Sequence, residues 1–477
     1  MTWILSIDQG TSGTKAMVVG ADDAIRSVVE IPIRPQYRQG GIVEQDPAEL
    51  LDSVMVAATR AIAEAGVTID AVTLTNQGET VLAWDPATGE PLTSMLVWQD
   101  SRASEICEPL REHAGLIAAR TGLVLDPYFS APKLAWLRRH ATTAGVVSTS
   151  DAWLLHHLTG EYVTDASTAS RSLVTNLDTV TYDEELLALF GLHGEAMPRI
   201  VANDEIVGET SRFGPAVPVA GVVVDQQAAL LAERCLTAGE AKCTFGTGAF
   251  LLANLGEHAT RSTSGLTVSV AWRVDGRTSY CSDGQVYTAA SAIRWLGDVG
   301  LLAGPEELDV LTTDDAHGAW CVPAMAGLAA PWWRPDAQAL FTGISLATTR
   351  ADLVTAVLQG LAAQVAELGD LVGRDSGQPL ARLRVDGGLT RSARFMQAVA
   401  DIAQLEIDVY PSAHATPLGA VALARKALDP ARDLADTIVA WAPERTFTPA
   451  WSADRAGTFR EHWHRLADTT GVEGDTK

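Results

Sequence analysis

The sequence predicts an α/β protein built as two duplicated halves with a cleft between them. Three observations carry that expectation. The chain has 477 residues, more than one hydrophobic core usually supports. Two stretches, 4–19 and 241–253, read as hairpins around a small, polar, glycine-bearing turn. Two further units, 219–232 and 383–400, each run from strand to acidic turn to helix and follow the hairpins in the same order. The boundary is expected near 233–242, giving domains over 1–235 and 236–477.

The opening strand Ile4-Leu5-Ser6-Ile7 leads into Asp8-Gln9-Gly10-Thr11-Ser12-Gly13-Thr14-Lys15 and then Ala16-Met17-Val18-Val19. Gly10 and Gly13 allow close approach of backbone to a ligand, Thr11, Ser12 and Thr14 supply donors, and Lys15 a positive charge. Such a tip suits a phosphate. Asp8 would repel a bare phosphate and fits only with a hydrated Mg2+ between them. A polar hairpin turn with no ligand is an equal reading of this stretch alone. Asp46-Pro47, with Glu49, starts a helix continued by Leu50, Val54, Ala58 and Ile62. The strand 71–75 follows, and the cluster Asn76-Gln77-Gly78-Glu79-Thr80 lies past its C-terminal end, where open α/β sheets bind ligands. One more polar turn would look the same. From Trp98 to Leu158 the chain reads as mostly helical, with a turn at Tyr128, a helix carrying Trp136, and a capped helix from Ser150-Asp151 to Thr159-Gly160.

The β-branched run Val222-Val223-Val224 ends at Asp225, and a helix-forming run follows. Asp225 is thus expected to be the helix N-cap, kept ionised by the helix N-terminus and ready to take a proton from an alcohol. A plain cap would need no further explanation. In the second half, Gly246-Thr247-Gly248 mirrors the first turn, Leu353, Val357, Leu361, Val365, Leu368 and Val372 mark a core helix, and Asp386-Gly387-Gly388 mirrors the turn at 225. Two such hairpins could hold nucleotide phosphates from both sides, with Gly387-Gly388 leaving bare backbone for the purine or ribose. The sequence has no GxxxxGK[ST], GxSxG, HExxH or strand-linked GxGxxG.

Composition narrows the partners. A net charge of −24 argues against nucleic acid and anionic membranes. No leader-like segment and no apolar run long enough to cross a bilayer is read, so a cytoplasmic protein is expected. The five cysteines are scattered and read as buried free thiols, while His156-His157 and His462-Trp463-His464 lack metal-ligand spacing.

With these residues in hand, the chain resembles the FGGY carbohydrate kinases of the actin-like ATPase superfamily, and among them the branch that phosphorylates glycerol. The resemblance runs to about Arg425 and rests on Asp8-Gln9-Gly10-Thr11, Gly41 to Pro47, Thr75 to Thr80, Val97 to Asp100, Gly122 to Ser130, Asp225 to Ala229, Phe245 to Gly248, Ala330 to Trp333 and Val385 to Gly388. It implies two ribonuclease-H-like domains closing over ATP and Mg2+, a small polyol substrate, and a homodimer. It assigns Asp225 as catalytic base and, with Asp8, to the metal. Gly78, Glu79, Trp98, Tyr128, Asp225 and Gln226 match polyol-contacting positions. Thr11, Ser12, Gly13, Lys15, Gly246, Thr247, Gly248, Arg294, Gly387, Gly388 and Ser392 match nucleotide-contacting ones.

One departure bears on substrate choice. The family's glycerol branch carries an arginine where this chain has Gly78, removing up to two charge-assisted hydrogen bonds on the order of 1.5–3 kcal/mol each. A tetritol or pentitol is then expected, or glycerol if another group such as Arg102 fills in. Lys15, Arg294 and Ser392 stand where arginine, glutamine and asparagine are usual. The 212–218 loop lacks the glycine-rich basic segment tied to sugar-bisphosphate inhibition. A ketose kinase shares the catalytic parts, and a non-catalytic sugar sensor is a third reading, against which Asp225 speaks.

Overall fold

Trp3–Gln9 and Gly13–Gly20, buried along most of their length, pair as an antiparallel hairpin with Asp8 opposite Lys15. The computed structural model describes residues 2–470 and builds the chain around two seven-stranded sheets. In the first, Trp3–Gln9 also pairs in parallel with Ala71–Asn76, which puts Asp8 beside Thr75. Val223–Val224 pairs in parallel with Thr75 and Asn76 on the other side. Three neighbouring strands therefore end together, and the phosphate-type turn, the 76–80 cluster and Asp225 leave the sheet at one edge. That edge is where ligands of such sheets bind. Asp46 caps the helix Pro47–Ala65 by accepting from the Ala48 amide at 2.8 Å, and Gly66 ends it with φ 65°.

The second sheet repeats the plan. Ala241–Phe245 and Ala249–Gly256 form its hairpin, and Lys242 to Thr244 pair in parallel with Arg384 to Asp386. The helix Arg350–Ser376 starts with a capping box between Thr349 and Asp352. Against the expectation drawn from sequence, it is long and apolar enough to cross a bilayer, yet 83% of its most apolar window is buried within the protein. It is a core helix.

The stretch 98–158 is mostly helical, as expected, but contains a strand. Val146–Thr149 forms a strand paired with Val81–Trp84. The next helix, Ser150–Thr159, has Thr149 at its N-cap position without a side-chain hydrogen bond. At 225 the cap assignment is also corrected: Val224 holds the N-cap position, and Asp225 is the first residue of the helix Asp225–Ala232.

The halves exchange helices. Ala228, Leu230 and Leu231 of the helix Asp225–Ala232 pack with Leu252, Ala271 and Trp272 of the second half. The helix Ala415–Leu428, which follows the second sheet, lies with Ile4, Met17, Val19 and Ala71 of the first. The two helices touch backbone to backbone: a Cβ at Gly419 would fall 1.9 Å from the Ala228 carbonyl oxygen.

Candidate active site

Three carboxylates, Asp8, Glu79 and Asp225, emerge at the shared strand edge. Burial pushes the Asp225 carboxyl up to about 7, helped by the charges of Asp8 and Glu79 and opposed by the Gln226 amide at 2.7 Å and by Lys242. The expectation that the helix N-terminus keeps Asp225 ionised is therefore corrected, because one amide and one ammonium do not offset burial and two acids. Burial also raises Asp8, against Lys15 and the Thr75 hydroxyl, which donates to it at 2.9 Å. A divalent cation between Asp8 and Asp225 would relieve both. Among the described residues no three His, Cys, Asp or Glu side chains cluster as a metal cage. Mg2+ needs none, since it binds through one or two carboxylates, waters and phosphate oxygens.

Aromatic rings form the neighbouring wall. The Trp98 indole donates from Nε1 to Thr11 Oγ1 at 2.8 Å, tying this wall to the first phosphate-type turn. Its ring lies 5.6 Å from that of Tyr128 and 6.1 Å from that of Phe250, both edge-on. Phe250 stands on the second hairpin, so Trp98 links the two hairpins across the cleft. Lys133 is fully buried and donates to the carbonyls of Pro127 and Phe129 at 2.8 Å each and to that of Tyr128, holding the loop that presents Tyr128. That burial pulls its ammonium down to about 8. Gln226 Oε1 accepts from the Lys242 ammonium at 2.6 Å, a contact from the second sheet to the first residues of the exchanged helix. Glu79 adopts φ 57°, a left-handed conformation costly for a non-glycine residue, and pairs with Arg171.

The glycine turns are closed to side chains. A Cβ at Gly13 would lie 2.9 Å from the Ile31 carbonyl oxygen, and one at Gly248 2.5 Å from that of Val286. Gly387 has φ 95°, and its Cβ would lie 2.4 Å from the Phe245 carbonyl oxygen, so the third turn rests on the second hairpin by backbone alone. Beside Gly388 there is open space. Thr11 and Ser12 are held by their carbonyls, which accept from Gln45 Nε2 at 2.7 Å and the Ile33 amide at 3.1 Å, leaving the Ser12 hydroxyl at the tip beside the Thr11 hydroxyl that accepts from Trp98. The amides of Ala289 and Ala290 donate to the carbonyls of Thr247 and Gly246, seating the helix Ala290–Asp298 on this turn. Lys15 acts on both Asp8 and Asp386, one from each half. Arg294 is exposed and close enough to Tyr37 to oppose the rise that burial causes in its phenol.

Two expected roles do not match the geometry. The Ser392 hydroxyl caps the helix Ala393–Ala403 and donates to Asp309 at 2.6 Å, so it has no proton left for a nucleotide. Arg102 is spent on Asp100 and Glu44 and lies over Trp136, so it does not fill in for the missing arginine. Conversely, Lys133, Arg171, Lys242 and Phe250 belong to the site without having been singled out. Phe250 alone had a signal, its place just after the second glycine turn.

Residues 3–232 match the family model for the N-terminal domain of the FGGY family of carbohydrate kinases, and residues 241–428 match its C-terminal domain. A glycerol kinase of Thermus brockianus is 39% identical across 98% of both chains. One of Alkalilimnicola ehrlichii is 40% identical across 90% of each. The crystal structure of Plasmodium falciparum glycerol kinase with ADP aligns at a TM-score of 0.91 and 30% identity, covering 99% of both chains.

Proposed function

The chain belongs to the FGGY family of carbohydrate kinases, and we propose that it transfers the γ-phosphoryl group of ATP to a terminal hydroxyl of glycerol or a closely related polyol, with Asp225 as base. The observation that carries this reading is the meeting of Asp8, Glu79 and Asp225 at one sheet edge, beside aromatic rings and facing glycine turns from both halves.

In this reading the rings of Trp98, Tyr128 and Phe250 cover the C–H faces of the polyol, while Glu79 and Gln226 take its hydroxyls. Asp225 orients the attacking hydroxyl and accepts its proton. Thr11, Ser12, Gly13 and Lys15 from one side, and Gly246, Thr247 and Gly248 from the other, hold the phosphates in line, with Gly387 and Gly388 against the adenosine and Arg294 at the cleft mouth. Mg2+ held by Asp8 and Asp225 would supply charge neutralisation at the terminal phosphates. Phosphoryl transfer passes through a loose transition state, so positioning and charge balance outweigh base strength.

Relatives named glycerol kinase favour glycerol over a ketose or a longer polyol. An ATP-coupled panel of glycerol, erythritol, xylitol, xylulose and ribulose is expected to give the highest kcat/KM with glycerol. A ketose as best acceptor would overturn the reading. A cytoplasmic homodimer, with domains at 1–235 and 236–477, completes the proposal. Five free buried cysteines suit a reducing compartment, and the resemblance carries the dimer.

A further inference from the structure

Position 78 lacks a side chain, yet a guanidinium lies next to it. A Cβ at Gly78 would lie 3.1 Å from Val224 Cγ2, with Nε and Cδ of Arg171 next at 3.9 and 4.0 Å. The Arg171 side chain is only 6% exposed. Its Nε donates to Glu79 Oε1, and its Nη1 donates to Asp283 Oδ2 at 2.9 Å. Asp283 stands on the strand Arg277–Val286 of the second sheet, where the same oxygen accepts from Gln285 Nε2 at 2.8 Å. The rings of Tyr128 and Phe129 each lie 5.8 Å from the guanidinium carbon. Its Nη2 has no hydrogen-bond partner among the described residues and is not sealed from solvent.

We infer that Arg171 is a specificity-determining residue of the polyol pocket: it lies beside Gly78, orients Glu79, and donates Nη2 to a substrate hydroxyl. This rests on the polyol-kinase reading above. A guanidinium only donates. With two of its five donors fixed on Glu79 and Asp283, the pair on Nη2 is left for an acceptor that a polyol oxygen provides and a deoxygenated analogue does not. Because Asp283 comes from the second half, the same side chain joins substrate recognition in one half to the position of the other.

The test compares wild type, Arg171→Lys, Arg171→Gln and the double variant Gly78→Arg/Arg171→Gln on glycerol and on propane-1,2-diol, which lacks one terminal hydroxyl. Arg171→Gln should raise the KM for glycerol about tenfold or more, leave the KM for ATP within about twofold, and raise the KM for propane-1,2-diol clearly less, since there only the orientation of Glu79 is lost. The preference for glycerol then collapses, and adding Gly78→Arg should restore it. Should Arg171→Gln fail to fold, Arg171→Lys carries the test, since one ammonium cannot serve Glu79, Asp283 and substrate in the same plane. An equal loss on both acceptors, or an unchanged KM for glycerol, would overturn the inference alone. A wild-type protein inactive on every polyol would overturn the polyol reading and this inference with it.

Discussion

Asp225→Asn is expected to lower kcat on the order of 10^3-fold while making the ligand-free protein more stable at pH 8. The first effect follows from removing the carboxylate that lies close enough to both Asp8 and Glu79 to feel their charges. The second follows from where Asp225 is held. Its folded-state pKa is about 7, above the ordinary 3.8, so between those values the folded protein keeps a proton that the unfolded chain has lost. Stability contributed by this group is therefore lost as pH rises from about 4 to 7, and the full penalty is present above 7. Asparagine carries no charge and has no such slope. Urea titrations at pH 5 and pH 8, paired with steady-state rates, check both effects. Retained turnover would remove Asp225 from the chemistry, and a wild-type stability no lower at pH 8 than the variant's would disprove the raised pKa. Mg2+ with ATP should stabilise wild type more than the variant, because the variant keeps Asp8 but loses the second carboxylate that would hold the cation.

Gly419→Ala should be severely damaging. Its Cβ would sit 1.9 Å from the Ala228 carbonyl oxygen and 2.5 Å from the carbonyl carbon. Both are backbone atoms inside packed helices, so relief requires the helices to part. The cost is expected to be about 3 kcal/mol or more, read as a drop in melting temperature. Activity should fall as well, because Ala228 lies one turn from Asp225 on the displaced helix. Gly457→Ala is the control. Gly457 is within the helix Ala453–Thr469, with nothing within 4 Å of its Cβ direction, and alanine there should stabilise by about 0.5–1 kcal/mol. Similar effects at both positions would show that the contact at Gly419 is not as close as described.

What could be read from sequence was local. The opening hairpin, the Asp46 cap, the long core helix and the Asp386-Gly387-Gly388 turn each announce themselves within about ten residues through periodicity, caps and glycine. Asp225 was visible as a strand-end acid, but its raised pKa was not, because that depends first on burial and then on Asp8 and Glu79, which surround it only after the sheet forms. Ser392 shows the same limit in reverse, since its hydroxyl is taken by Asp309, 83 residues earlier. Arg171 carries no periodic signal, and its partners lie 92 and 112 residues away. The strand Val146–Thr149 has only four residues, too few to show alternation amid helical neighbours.

The exchange of helices also limits how the cleft can move. Since each half seats its own helix in the other's sheet, the halves cannot separate by translation without tearing two apolar seams. A pivot about the bare backbone contact between Gly419 and Ala228 would keep both seams intact. A few degrees there are levered into a much wider gape at the rim, where Tyr37 and Arg294 stand on opposing lips.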